Sequence, residues 1–298
     1  MFGSHLSIAG GMTNALHEAE RLGMQCVQVF TKNQQQWKAP PLDGAQVADW
    51  TAEVARLGWR ERTVSHASYL INLASPDADL HAKSVDLMQV EIERCEALGI
   101  PFLVHHPGAA TDGETDAGLS RIARAYRELF RRTKGYRTVS CLENTVGSGT
   151  NLGRTFEELA RLRSMILGEG VDPARVAFCF DTCHAHAGGY DLSERESAAR
   201  VLDDFDSICG EGLMRVVHLN DSKGAVGSRL DRHAHIGEGT IGGSTRADRL
   251  ARSGFAAVVN RPSLRAVPKI LETPKGNSPR GTPHDTINLR RLRRLQES

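Results

Sequence analysis

No Cys-x-x-Cys pair occurs anywhere in the 298 residues. The six cysteines, at 26, 95, 141, 179, 183 and 209, are scattered, and several sit inside apolar, strand-like runs. That pattern argues against a thiol-based metal or redox motif and for buried free thiols in a reducing cytoplasm. No apolar run approaches the roughly 20 residues that a membrane span needs, so no membrane partner is expected. The opening MFGSHLSIAGG has neither a basic region nor a long apolar stretch and does not read as a signal peptide. Low-complexity segments and linkers are absent too, so residues 1–298 are expected to form one domain. The net charge of +1 excludes a strongly basic or acidic surface but argues neither for nor against nucleic acid. The first turn lacks Gly-x-Gly-x-x-Gly, which counts against a dinucleotide fold and against a doubly wound open sheet as the architecture.

What the chain does have is a rhythm. Short runs rich in apolar and β-branched residues alternate with longer stretches of helical periodicity. The runs are HLSI (5–8), CVQVF (26–30), RTVSH (62–66), PFLVHH (101–106), TVSCLE (138–143), VAFCFD (176–181), MRVVHL (214–219) and AVPKILE (266–272). Helices are predicted over 11–22, 45–57, 80–98, 117–133, 154–167 and 192–209, with Gly23, Gly58 and Gly99 closing three of them. Eight strands with helical crossovers predict an α/β fold, a (β/α)₈ barrel. The basic stretch 280–298, with leucines at 289, 292 and 295, predicts a terminal helix with one face on the core and a solvated basic face.

The apolar runs end, or nearly end, in His66, His106, Glu143, Asp181, His218 and Glu272, at intervals of 40, 37, 38, 37 and 54 residues. In such a barrel, strand ends converge at the C-terminal rim, where barrel enzymes build their sites. All six are metal-ligand types, so a metal site is predicted there. Three more candidates join them. Asp181-x-x-His184 brings a second imidazole near the rim. In SRLDRHAHIGEG (228–239), Asp231 and His233 are two apart, which in an extended segment turns both to one side. That segment is expected to fold over the rim and hold another metal with His184. Five imidazoles and four carboxylates without a thiolate suit zinc or manganese better than magnesium or calcium. Nine ligands exceed one ion's needs; with one carboxylate bridging, they serve three ions and leave positions open for water and substrate.

The stretches GSHLSIAGG, VQVFTKNQQQW, HASYLINLASP, HHPG, LENTVGSGTNLG, DTCHAHAGGYD, HLNDSK, SRLDRHAHIGEG and LETP occur in this order and span nearly the whole chain. In them the sequence resembles the endonuclease IV family, the metal-dependent apurinic/apyrimidinic endonucleases of base-excision repair. The resemblance implies three Zn²⁺ per chain, with Mn²⁺ an alternative at one or more sites. One ion would be held by His66, His106 and Glu143, a second by Glu143, Asp181, His218 and Glu272, and the third by His184, Asp231 and His233. Glu143, as the bridge, and Glu272 are the carboxylates read as catalytic. By the same resemblance, a hydroxide between the first two ions attacks the phosphodiester 5′ to an abasic sugar in double-stranded DNA. The products are a 3′-hydroxyl and a 5′-deoxyribose phosphate, with 3′-end trimming as a second activity.

Other residues take roles by resemblance only. Tyr69 and Leu70 match a minor-groove wedge. Gln35, within KNQQQW, stands where the family usually has an arginine that enters the base stack; Gln36, Trp37 and Arg232 are lesser DNA-contact candidates. His105 is expected to pack on the other strand face, Cys183 to be a small buried residue, and His186 and His235 to be peripheral. Three divalent ions would raise the chain from +1 to about +7, so the bare charge understates affinity for phosphate. The expected protein is a monomer, cytoplasmic and nucleoid-associated when acting on DNA. Two rivals remain. One is a sugar isomerase or epimerase on the same barrel, with one or two metals. The other is a binding protein for damaged DNA without catalysis.

Overall fold

The computed structural model describes residues 1–296; the last two residues of the predicted basic terminus lie outside the described ones. Eight parallel strands close into a barrel in the order β1-β10-β7-β6-β5-β4-β3-β2. They are β1 (Phe2–His5), β2 (Cys26–Val29), β3 (Thr63–His66), β4 (Phe102–His105), β5 (Val139–Glu143), β6 (Val176–Asp181), β7 (Met214–His218) and β10 (Lys269–Leu271). Two further short strands, β8 (Asp221–Ser222) and β9 (His233–Ala234), pair antiparallel outside the barrel. Seven of the eight predicted runs overlap their barrel strands closely. The first does not: the strand is Phe2–His5, so His5 ends it rather than starting it. A run of only four residues next to the chain start gives the periodicity too little to fix its frame.

Helices α1 (Thr13–Arg21), α2 (Gly44–Leu57), α3 (Ala78–Leu98), α4 (Thr115–Arg132), α5 (Phe156–Gly168) and α7 (Arg195–Cys209) match the six predicted. Asp43, Asp77 and Thr155 cap α2, α3 and α5 by accepting backbone N–H bonds. Gly58 and Gly99 end α2 and α3 at φ 67° and 65°, left-handed values that favour glycine. Shorter helices α6 (Thr182–Gly188), α8 (Ala247–Leu250) and α9 (Gly254–Asn260) are additional to the predicted set. The terminal helix α10 (His284–Arg293) belongs to it: Leu289 and Leu292 are buried, with Leu295 just beyond the helix. Its basic face is not wholly solvated, because Arg291 binds the carbonyl of Ile236 at 2.7 Å and the carboxylate of Glu238 at 2.9 Å.

The barrel interior is filled by Cys26, Val64, Val104, Cys141, Ala177, Cys179, Val216 and Ile270, all from the strands. A larger apolar layer lies between strands and helices. Strands buried on both faces read as continuous apolar runs, which is why they are legible. The six cysteines are all free and buried. No helix among the described residues is long and apolar enough to cross a membrane.

Candidate metal centre

The strand ends meet at one rim. His66, Glu143, Asp181 and His218 are the last residues of β3, β5, β6 and β7, while His106 and Glu272 follow β4 and β10 by one residue. Glu143 is fully buried. Its Oε2 faces His66 Nε2 at 3.2 Å and His106 Nε2 at 3.3 Å. Its Oε1 faces His218 Nδ1 at 2.9 Å and His184 Nδ1 at 3.3 Å. The two oxygens of one carboxylate thus serve opposite sides of the cup. On the second side, His218 Nδ1 lies 3.1 Å from Glu272 Oε2 and 3.8 Å from Asp181 Oδ2.

The rim segment supplies a third group. Asp181 caps α6 by accepting the His184 N–H at 2.7 Å, which aims the His184 ring inward. Strand β9 pairs with β8, and His184 Nε2 and His233 Nε2 lie 3.3 and 3.6 Å from Asp231 Oδ1. The loop after β9 is tied down by Asp221, whose buried carboxylate accepts backbone N–H groups from Gly237, Gly239, Ile241 and Gly242 at 2.8–3.2 Å. A Cβ on Gly239 would fall 2.3 Å from the carbonyl oxygen of Ser222, and one on Gly242 2.5 Å from Gly237 Cα, which accounts for the glycines of this segment.

The donor set fits divalent ions. His66, His106 and Glu143 have ligand atoms mutually within 4.8 Å, as do Glu143, Asp181, His218 and Glu272. Asp181, His184 and His233 form another such group. A tetrahedral ion with bonds of about 2.0–2.1 Å holds its donors about 3.3 Å apart, close to most of the separations above. His233 Nε2 is buried without a hydrogen-bond partner; its nearest acceptors, Asp231 Oδ1 and Asp181 Oδ2 at 3.6 and 3.7 Å, are too distant to serve. A cation among these atoms would satisfy it.

Backbone and amide partners fix the imidazole tautomers. His66 Nδ1 donates to the carbonyl of Ala67 at 2.7 Å, and His184 Nδ1 to that of Asn144 at 2.9 Å, leaving each Nε2 for the cup. His218 is reversed: Nε2 donates to Gln28 Oε1 at 2.8 Å, so Nδ1 faces inward. Burial alone would raise the Glu143 carboxyl, but His218 and His106 outweigh it and hold the group well below the carboxylate range. Burial likewise opposes the low value of Glu272, which His218 and His5 impose. Burial would lower His184 and His218. Asp181, Asp231 and Glu143 raise His184; the carboxylates Glu272 and Glu143 raise His218. The carboxylates of the cup therefore favour the protonated imidazole at His184 and His218, and a cation bound there would take the place of those protons.

Four residues of the centre are not recognisable in the sequence. His5 Nδ1 and Gln28 Nε2 contact Glu272 Oε1 at 3.3 and 2.7 Å. Asn220 donates to Asp181 Oδ2 at 2.8 Å and accepts the Glu272 N–H at 2.7 Å. Cys179 groups with Glu143 and His218 at ligand distance, but burial pushes its thiol up to about 12. The available signal is a polar residue inside or closing a fully buried strand.

His105 turns away from the cup, as expected. It binds Tyr126 and Ser140 at 2.7 and 3.0 Å, and burial lowers it to about 4. Buried Cys183 donates to the Arg232 carbonyl. His186 ties Leu192 N to Thr240, and His235 stacks on His284 with ring centroids 4.1 Å apart. Tyr69 is 60% exposed, and its ring lies 5.1 Å from that of His66 and 6.0 Å from that of His106. Leu70 beside it is half-buried, while Gln35, Gln36, Trp37 and Arg232 are exposed. A cavity of about 310 Å³ opens beside Tyr69, lined among others by His66, Asn72, His106 and Asn151.

A family model described as a xylose isomerase-like TIM barrel matches residues 16–280. A Chloroflexus aggregans protein named "Probable endonuclease 4" is 42% identical over 294 residues, covering 99% of this chain and 97% of its own. One of the same name from Trichlorobacter lovleyi is 40% identical over 293 residues, covering 98% of each chain. The crystal structure of endonuclease IV from Thermus thermophilus superposes with a TM-score of 0.82 at 36% identity, covering 99% of this chain and 98% of that one. The chain belongs to the endonuclease IV family. Membership makes it a DNA-repair hydrolase of the AP endonuclease class. A D-tagatose 3-epimerase-like protein also superposes, with a TM-score of 0.67 over 98% of this chain and 96% of that one, but at 17% identity it shares the fold alone.

Proposed function

We propose that the chain cleaves the phosphodiester 5′ to an abasic site in double-stranded DNA, leaving a 3′-hydroxyl and a 5′-deoxyribose phosphate. Three divalent ions, zinc with manganese admissible at one or more sites, are assigned to the nine rim donors. His66, His106 and Glu143 take one; Glu143, Asp181, His218 and Glu272 the second; His184, Asp231 and His233 the third. The observation that carries this reading is the third donor group on Asp231, beside a cage whose Glu143 already serves two sides. A proton shuttle on a sugar carbon needs no such addition.

Ions bound there supply a water of lowered pKa, a clamp on phosphate oxygens and stabilisation of the departing alkoxide. The chain's own residues do the rest. Gln28 and the carbonyls of Ala67 and Asn144 hold the imidazoles in register. The cavity beside Tyr69 is roomy enough for an extruded sugar, whose missing base lowers the cost of leaving the stack. Tyr69 and Leu70 are assigned to the gap left behind, with Gln35, Gln36, Trp37 and Arg232 along the duplex. One barrel unit suffices as a monomer, acting at the nucleoid in the cytoplasm. The deciding experiment is a duplex carrying one tetrahydrofuran abasic analogue: we expect a single incision 5′ to it, and binding without incision would favour a non-catalytic damage-binding protein.

Gln35 is the one departure from the family pattern with a direct consequence. It is exposed at the tip of its loop, where an amide offers hydrogen bonds but no guanidinium plane for stacking. Gln35→Arg is expected to lower KM for the abasic duplex about threefold to tenfold, one added stacking contact, with kcat unchanged. Steady-state kinetics that return an equal or higher KM would remove Gln35 from the lesion contact.

A further inference from the structure

The two loops that carry Gln35–Trp37 and Tyr69–Leu70 meet below the surface on one carboxylate. Glu91, on α3, is 1% exposed, and Lys32, its partner at 3.5 Å, is 5% exposed. The hydrolytic chemistry uses neither. Glu91 Oε2 accepts from Thr31 Oγ1, and its Oε1 accepts from the Ser68 N–H, each at 3.2 Å. Lys32 Nζ donates to the carbonyls of Asn33 and Gln36 at 3.2 and 3.0 Å. Ser68 Oγ donates to the carbonyl of Gln34 at 2.5 Å and accepts from the Leu70 N–H at 3.3 Å. One turn further along α3, Arg94 donates to the carbonyls of Thr31 and Pro40 at 3.2 and 2.9 Å.

A buried charge pair adds little net stability, because desolvation offsets its attraction; fixing one register among several is its best-attested use. Nearly all the bonds made here end on the backbone of one loop or the other, and Ser68 joins the two directly. We infer that Glu91, Lys32 and Ser68 form a positioning unit that locks the 31–40 and 67–72 loops into one preset surface, holding Gln35 and the Tyr69–Leu70 pair in fixed relation to a lesion. The inference rests on the DNA reading above. Presetting a surface removes the ordering cost of binding, so its loss falls on KM rather than on the hydrolytic step.

The test compares two substrates on the full-length, metal-loaded protein. One is the tetrahydrofuran duplex; the other is bis(p-nitrophenyl) phosphate, a small diester that needs only the metal donors. Glu91→Gln leaves Lys32 buried without its counter-charge and risks the fold, so Ser68→Ala, which removes the bridge to the Gln34 carbonyl together with the bond from the Leu70 N–H and leaves the charge pair in place, runs beside it. Ser68→Ala is expected to raise the duplex KM about tenfold, with kcat and small-diester hydrolysis within about twofold of wild type. A folded Glu91→Gln should exceed that KM effect with the same split. A duplex KM unchanged in Ser68→Ala would overturn the inference, as would a parallel loss on both substrates, which would locate the defect in the metal centre. A wild-type protein that hydrolyses the small diester and leaves the abasic duplex intact overturns the DNA reading, and the inference with it.

Discussion

Glu143→Gln is expected to lower kcat/KM on an abasic duplex by about 1000-fold or more, equivalent to about 4 kcal/mol of transition-state stabilisation. The substitution keeps the shape of the side chain and removes its charge. Both oxygens are engaged, Oε2 towards His66 and His106 and Oε1 towards His218 and His184. An amide presents a donor to one of those sides, so at least one ion should be lost along with the rate. Elemental analysis and kinetics on the same preparation check the two halves of the expectation. Circular dichroism should show the fold retained, because Glu143 stands at the end of β5 and the barrel core lies elsewhere. Near-normal turnover in this variant would overturn the metal-assisted mechanism.

Stripping the ions should collapse DNA binding as well as catalysis. The bare chain carries a net charge of only +1, and three divalent ions would raise it to about +7. Held by the rim donors, they would also lie where the proposed mechanism puts the phosphate. Chelated protein is expected to bind a duplex with one abasic analogue at least about tenfold more weakly, with a shallower dependence on salt. Fluorescence anisotropy at two salt concentrations, on holo protein and on chelated protein shown to be folded, measures both. Equal affinity in the two forms would mean that the loops and not the centre hold the DNA.

The fold is legible because parallel strands buried on both faces leave continuous apolar runs, and six of the eight runs stop at or beside a polar rim residue. His66, Glu143, Asp181 and His218 stand out for that reason. His5 does not, because β1 starts at residue 2 while its apolar run is framed three residues late. Gln28 is the converse case. It lies within an apolar strand and looks like an interruption, yet it is fully buried and orients both His218 and Glu272. The role of Asp221 is hidden because its partners, Gly237 to Gly242, follow it across an irregular segment that carries no periodicity. Helices α8 and α9 lie in the 54-residue interval between His218 and Glu272, and at four and seven residues they are too short to imprint a repeat. The Glu91–Lys32 pair reads in the sequence as two ordinary charges; only burial reveals it.

Nine side chains, scattered along the chain from His66 to Glu272, are proposed to hold three divalent cations jointly. Elemental analysis of purified, fully active protein decides this. Close to three zinc, or zinc plus manganese, ions per chain are expected, falling to two in an Asp231→Ala, His233→Ala double variant. A single ion per chain in fully active material would contradict it.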